Sequence, residues 1–204
     1  MSLLRELFGP SKAEIWQTLS EKIAADFKDG GWFGTDKVVA KHRQWTITLD
    51  TYKEGKRHYT RLRAPYINRD GFRFRLYRSN FFNDMGKKMG LEGDVEIGIP
   101  DFDYDFIIQG NDHYKLWKLF ANERVRYLIE GQPAINLQIV PANHWFWDDD
   151  YPENVDMIEF KVQGTITDMR QLEKLFNLFA ELLDHLCTIG AAYEDDPTLK
   201  NYYL

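Results

Sequence analysis

A single cysteine, Cys187, stands in the chain, so neither an intrachain disulfide nor a cysteine-built zinc site can form. That scarcity fits a reducing compartment, and a cytoplasmic location is expected. No apolar run approaches the roughly 20 residues that a membrane-spanning helix needs. The first ten residues carry Leu3, Leu4, Leu7 and Phe8 but no cleavage signature of a secretion signal. Metal-binding patterns are missing too. Among His42, His58, His113, His144 and His185 no two stand four residues apart, and there is no His-Glu-x-x-His. Asp148-Asp149-Asp150 with Glu153 and Asp156 lacks the glycine and the alternating ligands of a calcium-binding EF-hand loop. The nucleophile elbow Gly-x-Ser-x-Gly, the phosphate-binding Walker loop and Gly-x-Gly-x-x-Gly are all absent. His185 stands two residues from Cys187, on a different side of any helix they share. No catalytic residue, metal or cofactor is therefore expected.

Aromatics, in contrast, are abundant: 6 Trp, 11 Tyr and 14 Phe in 204 residues. Such large side chains bury much area each, and most belong in a core. Charge is unevenly spread. Residues 1–36 hold 4 basic and 6 acidic side chains, net −2; residues 37–90 hold 14 and 4, net +10; residues 91–204 hold 8 and 22, net −14. A segregation of this size argues about partners rather than fold.

Ser11 followed by Glu14 is a capping box, and Ile15, Trp16, Leu19, Ile23 and Phe27 keep helical spacing, so a helix is expected over residues 11–28. From Lys37 the period changes to two. Trp45, Ile47 and Leu49 alternate with polar residues, and Phe72, Phe74 and Leu76 alternate with Arg73 and Arg75. An antiparallel meander over 37–78 is expected, with one buried face and one wet face. Val95–Ile99 reads as a further short strand. Residues 104–190 read as a strand-helix unit that occurs twice. Phe106-Ile107-Ile108-Gln109-Gly110-Asn111 precedes a helix carrying Lys118-Leu119-Phe120. Phe160-Lys161-Val162-Gln163-Gly164-Thr165 precedes one carrying Lys174-Leu175-Phe176. The first helix has a candidate break near Asn122. The second runs on a wide apolar face from Leu172 to Ile189. The expected fold is α+β: one domain over 1–204, with a mainly antiparallel sheet of six or seven strands and three helices.

Two surfaces are candidate sites. Arg61 and Arg63 alternate on one strand and Arg73 and Arg75 on the next, so a hairpin between them would gather four guanidiniums on its solvent face. Such forks match carboxylate and phosphate. Tyr59 and Tyr77 nearby are of a type that stacks on bases, but nucleic-acid-binding domains are usually basic throughout, and this chain has a pI of about 5.4. An acidic protein surface, or self-association, is the favoured partner for Arg61, Arg63, Arg73 and Arg75. The alternative is that the stripe is paired within the chain. The second surface is the loop Trp145-Phe146-Trp147, a recognition tip or a hydrophobic plug over the sheet's end.

Phe8-Gly9-Pro10, Asp50-Thr51-Tyr52, Arg63-Ala64-Pro65-Tyr66, Gln109-Gly110-Asn111-Asp112 with Leu119-Phe120-Ala121-Asn122, and Leu183-Asp184-His185-Leu186-Cys187 together resemble an uncharacterised family of soluble bacterial proteins, a domain of unknown function. The resemblance implies a bacterial, cytoplasmic protein and brings no catalytic residue with it. The function expected from the residues is a non-enzymatic binding or interaction domain. The alternative is a small-molecule binder with an aromatic cavity between sheet and C-terminal helix, and an enzyme comes third.

Overall fold

The computed structural model describes residues 9–31, 34–79, 93–142 and 151–198. Its first helix, α1 (Lys12–Lys22), opens on the expected capping box: Glu14 N donates to Ser11 Oγ at 3.3 Å, and Ser11 N donates to Glu14 Oε2 at 2.9 Å. The helix ends earlier than the spacing predicts. Ala24 takes a left-handed conformation, φ 53°, and Ala25 N donates back to Ser20 O. Phe27 therefore falls in a short strand, β1 (Asp26–Lys28), not in the helix.

Next come β2 (Lys37–His42), β3 (Trp45–Glu54) and β4 (Arg57–Asn68), consecutive and antiparallel as the alternation requires. The expected meander breaks after β4. Strand β5 (Phe74–Arg78) pairs with β6 (Phe106–Gly110) and β7 (Asn136–Pro141), while β8 (Val155–Gln163) lies between β4 and β7. The residues of β8 explain its central place: Val155 to Phe160 are buried without a break, so this strand needs cover on both faces. The sheet runs β1-β2-β3-β4-β8-β7-β5-β6, and β9 (Ala192–Tyr193) joins the end of β4.

Four more helices follow α1: α2 (Pro100–Asp105), α3 (His113–Ala121), α4 (Glu123–Glu130) and α5 (Met169–Thr188). The α+β class holds, but the described residues form nine strands and five helices where six or seven and three were expected. Residues 95–99 form no strand. The Asp103 carboxylate draws the amides of Ile97, Gly98 and Ile99 into a turn, each at 2.9 Å. Asn122 splits the long central helix into α3 and α4. Its Oδ1 accepts the amides of Arg124 and Val125 and caps α4.

The two strand-helix units are β6 with α3 and β8 with α5. Both strands lie in the one sheet, and the buried faces of both helices join one hydrophobic cluster. Three antiparallel steps separate β6 from β8, so the units run in opposite directions. Their glycines do different work. Gly164 has φ +94°, a conformation that favours glycine. Gly110 is needed for space, because a Cβ there would meet Leu116 Cδ1 at 2.8 Å and Arg73 O at 2.9 Å.

That cluster collects Trp16 and Leu19 of α1, Phe102 of α2, Leu116 and Phe120 of α3, Val125 and Leu128 of α4, and Leu175, Phe179, Leu182 and Leu183 of α5. They meet Leu49, Leu62, Phe74, Leu76, Leu137, Ile158 and Phe160 of the sheet. The helices therefore cover one face. On the alternate face a smaller cluster of Ile67, Val140, Ala142, Val155 and Met157 packs with Tyr151. None of the described helices is long and apolar enough to cross a membrane.

Candidate functional site

Strict alternation decides which side chains the uncovered face presents. Register links one row straight across six strands: Thr48, Arg63, Glu159, Gln138, Arg75 and Gln109. Arg61 and Arg63 thus share a face with Arg75, although β4 and β5 are not a hairpin and two strands separate them. The hairpin expectation is corrected here. Parity along each strand was readable, but the insertion of β8 and β7 was not.

Three of the four arginines are tied to buried carboxylates of the chain itself. Asp50, only 2 % exposed, accepts Arg61 Nε at 2.9 Å, Arg61 Nη2 at 2.8 Å and Arg63 Nη2 at 3.1 Å. Arg61 also lies over the Tyr52 ring, which stacks on Tyr59. Arg73, just ahead of β5, forks onto Asp156 with two bonds of 3.0 Å. Asp156 takes a further bond from Asn68 Nδ2 at 2.6 Å. The fork holds the Arg73 guanidinium above its ordinary pKa, against the opposing effect of burial. Arg75 Nε donates to Asn136 Oδ1 at 3.3 Å, and burial lowers its pKa. The Arg61 fork cross-links β3 and β4, the Arg73 fork ties the start of β5 to β8 past the intervening β7, and together they supply donors that two buried carboxylates require.

A groove opens on the same face, over β1 to β4, with a volume of about 310 Å³. Its floor is the alternate set to the core residues Val38, Ala40, Trp45, Ile47, Leu49, Leu62 and Ala64. Lys28 stands directly across from Lys37, and Lys41 across from Thr46, to whose hydroxyl it donates at 2.6 Å. Thr48 and Arg63 form the next pair. Like charges directly opposed on neighbouring strands repel. Among the described residues neither Lys28 nor Lys37 forms an ion pair. The groove's wall is the segment after β9, with Asp196, Pro197 and Thr198 lining it. The Thr198 hydroxyl and amide donate to Asp196 Oδ1 at 2.6 and 2.9 Å. Those two bonds hold the Asp196 carboxyl below the usual range against the effect of burial, and the charge of Lys41 adds to them.

Three of these cations escaped the sequence reading. Lys28 falls within the helix expected over residues 11–28. Lys37 and Lys41 were readable in principle from the alternation Lys37-Val38-Val39-Ala40-Lys41. What could not be read is that β1 lays a third lysine beside them. The expected stacking platforms do not stand free: Tyr59 lies against Tyr52 under Lys161, and Tyr77 is buried. Trp145, Phe146 and Trp147 lie outside the described residues.

Between the sheet and helices α2 and α3 the aromatics pack on one another. Phe74 meets Phe120 edge-on at 5.4 Å, and Phe102 lies 4.6 Å from Phe106. Cys187 is half-buried on α5, and burial raises its thiol pKa. His185 bonds the Lys118 carbonyl, and His42 bonds Asp184, both at 3.0 Å. No group of three or more histidine, cysteine, aspartate or glutamate side chains among the described residues is placed to hold a metal ion.

A solved structure shares this architecture. The mycobacterial trehalose monomycolate transport factor A, TtfA, is similar with a TM-score of 0.53 and 10% sequence identity, over 85% of this chain and 95% of that one. The likeness shows the fold. No family model matches the chain, and no curated protein matches it.

Proposed function

We propose that the chain is a non-enzymatic binding domain that takes an anionic partner, an acidic protein surface, on the open face of its sheet. The observation that carries this reading is the opposed pair Lys28 and Lys37, with Lys41 on the same groove floor and no carboxylate paired to the first two among the described residues. A sheet that places like charges across from each other accepts a repulsion that an anionic partner relieves. Arg61, Arg63 and Arg73 then serve as the scaffold of this face, held by Asp50 and Asp156, and the lysines make the contact. TtfA is a trehalose monomycolate transport factor. At that identity its cargo does not transfer to this chain. The small-molecule reading, with a cavity against α5, has no comparable observation behind it on the described residues.

The test uses poly-glutamate as the probe, with binding followed by fluorescence anisotropy as salt is raised. The chain is expected to bind at low ionic strength and to release as screening shortens the reach of its charges. Lys28→Glu with Lys37→Glu should keep the melting curve and lose the binding. Absence of binding at low salt, or binding untouched by the double reversal, overturns the reading.

A further inference from the structure

We infer that the partner is an extended acidic peptide segment, and that it displaces the chain's own acidic residues 194–198 from the groove. This rests on the anionic reading above and names the form of the partner. The chain already shows how a short acidic strand sits there. After β9 it carries Glu194, Asp195 and Asp196 in succession. Glu194 pairs with Arg43 at 2.8 Å, at the turn between β2 and β3, and Asp196 enters the groove wall within the field of Lys41.

The hold on this segment is light. β9 contributes two register pairs, Ile67 with Tyr193 and Asn68 with Ala192. The Arg43–Glu194 pair is half exposed on both sides, where ion pairs stabilise little. The Asp196 carboxylate is bonded by its own neighbour Thr198 rather than by a lysine. Pro197 is the buried anchor. The acidic run ends at Asp196. Among the described residues it leaves Lys28 and Lys37, at the far end of the groove floor, with no carboxylate in an ion pair. Lys37 and Lys41 are four residues apart along β2, about 13 Å at the strand rise. An extended peptide with acids at alternate positions over five or six residues spans that distance and meets all three lysines.

The experiment uses the full chain and a fluorescein-labelled hexaglutamate peptide at low salt. Glu194→Gln, Asp195→Asn and Asp196→Asn are combined in one variant, which keeps the segment's length and its proline. The expected result is hexaglutamate binding at least threefold tighter in that variant, and binding lost when Lys28→Glu and Lys37→Glu are added. Equal affinity in the two chains, or weaker binding in the variant, overturns the displacement while leaving the anionic reading in place. If neither chain binds, the anionic reading itself fails, and the inference with it.

Discussion

Asp50 shows how a single buried carboxylate organises this protein's surface. Three guanidinium bonds from two arginines converge on it, and the Arg61 and Arg63 side chains are themselves only 13% and 15% exposed. The net worth of such a cluster over an apolar replacement is small, but breaking it strands a charge. Asp50→Asn removes the charge, leaves two poorly solvated guanidiniums facing a neutral amide, and should cost about 3–5 kcal/mol. Urea denaturation measures it, and a loss under about 1 kcal/mol would mean that water reaches the arginines. The alternation of Arg61 and Arg63 was legible because parity is a local property. Their partner was not, because Asp50 lies opposite Arg61 only in the observed register, and a one-residue slip would have sent it to the other face. Arg73 carries the same lesson. Its alternation with Arg75 places it on the open face, but its guanidinium is the counter-charge of a buried Asp156.

Elements were legible where one periodicity governed the whole segment. Helix α5 repeats apolar residues from Leu172 to Leu186 and buries Leu172, Leu175, Phe179, Leu182, Leu183 and Leu186 completely. Phe179→Ala should cost about 3–5 kcal/mol in chemical denaturation, as large-to-small changes in packed cores do. A loss below roughly 1 kcal/mol would assign this helix face a role outside the core. Misreadings came where a local hydrogen bond overrode the pattern. Helical spacing continues to Phe27, but Ala24 turns the chain out. Residues 95–99 have strand composition, but Asp103 takes three of their amides. Beyond the run β2-β3-β4 the order of strands was not legible. Nothing within β4 or β5 says that β8 and β7 pass between them; only the apolar residues on both faces of β8, Val155 and Met157 against Ile158 and Phe160, hint at a central position.

At the scale of the molecule, one sheet divides the labour: a helix-covered face carries the core, and an open face carries charge. The net +10 of residues 37–90 suggested such a division, but three of its arginines are engaged internally: Arg61 and Arg63 by Asp50, which that sum already counts, and Arg73 by Asp156. The groove lysines are what the structure adds. The acidic segment beside them makes the open face sensitive to acid, and the sign follows from Asp196. Its folded-state pKa is depressed, with the Thr198 hydroxyl as the first cause. A depressed carboxyl adds stability that is fully present above its unfolded value of about 3.9 and is lost as pH falls through the lower folded value. Protonation removes the charge that Thr198 donates to and that Lys41 attracts, so acid should loosen residues 194–198 ahead of the helix-covered core. The amide resonance of Thr198, followed by NMR as pH is lowered, should titrate with a midpoint below about 3.9. Asp196→Asn should abolish that transition and leave the other described amides of the sheet unmoved. A midpoint at or above the unfolded value would show that the carboxyl is not held there, and that the groove lacks the acidic wall ascribed to it.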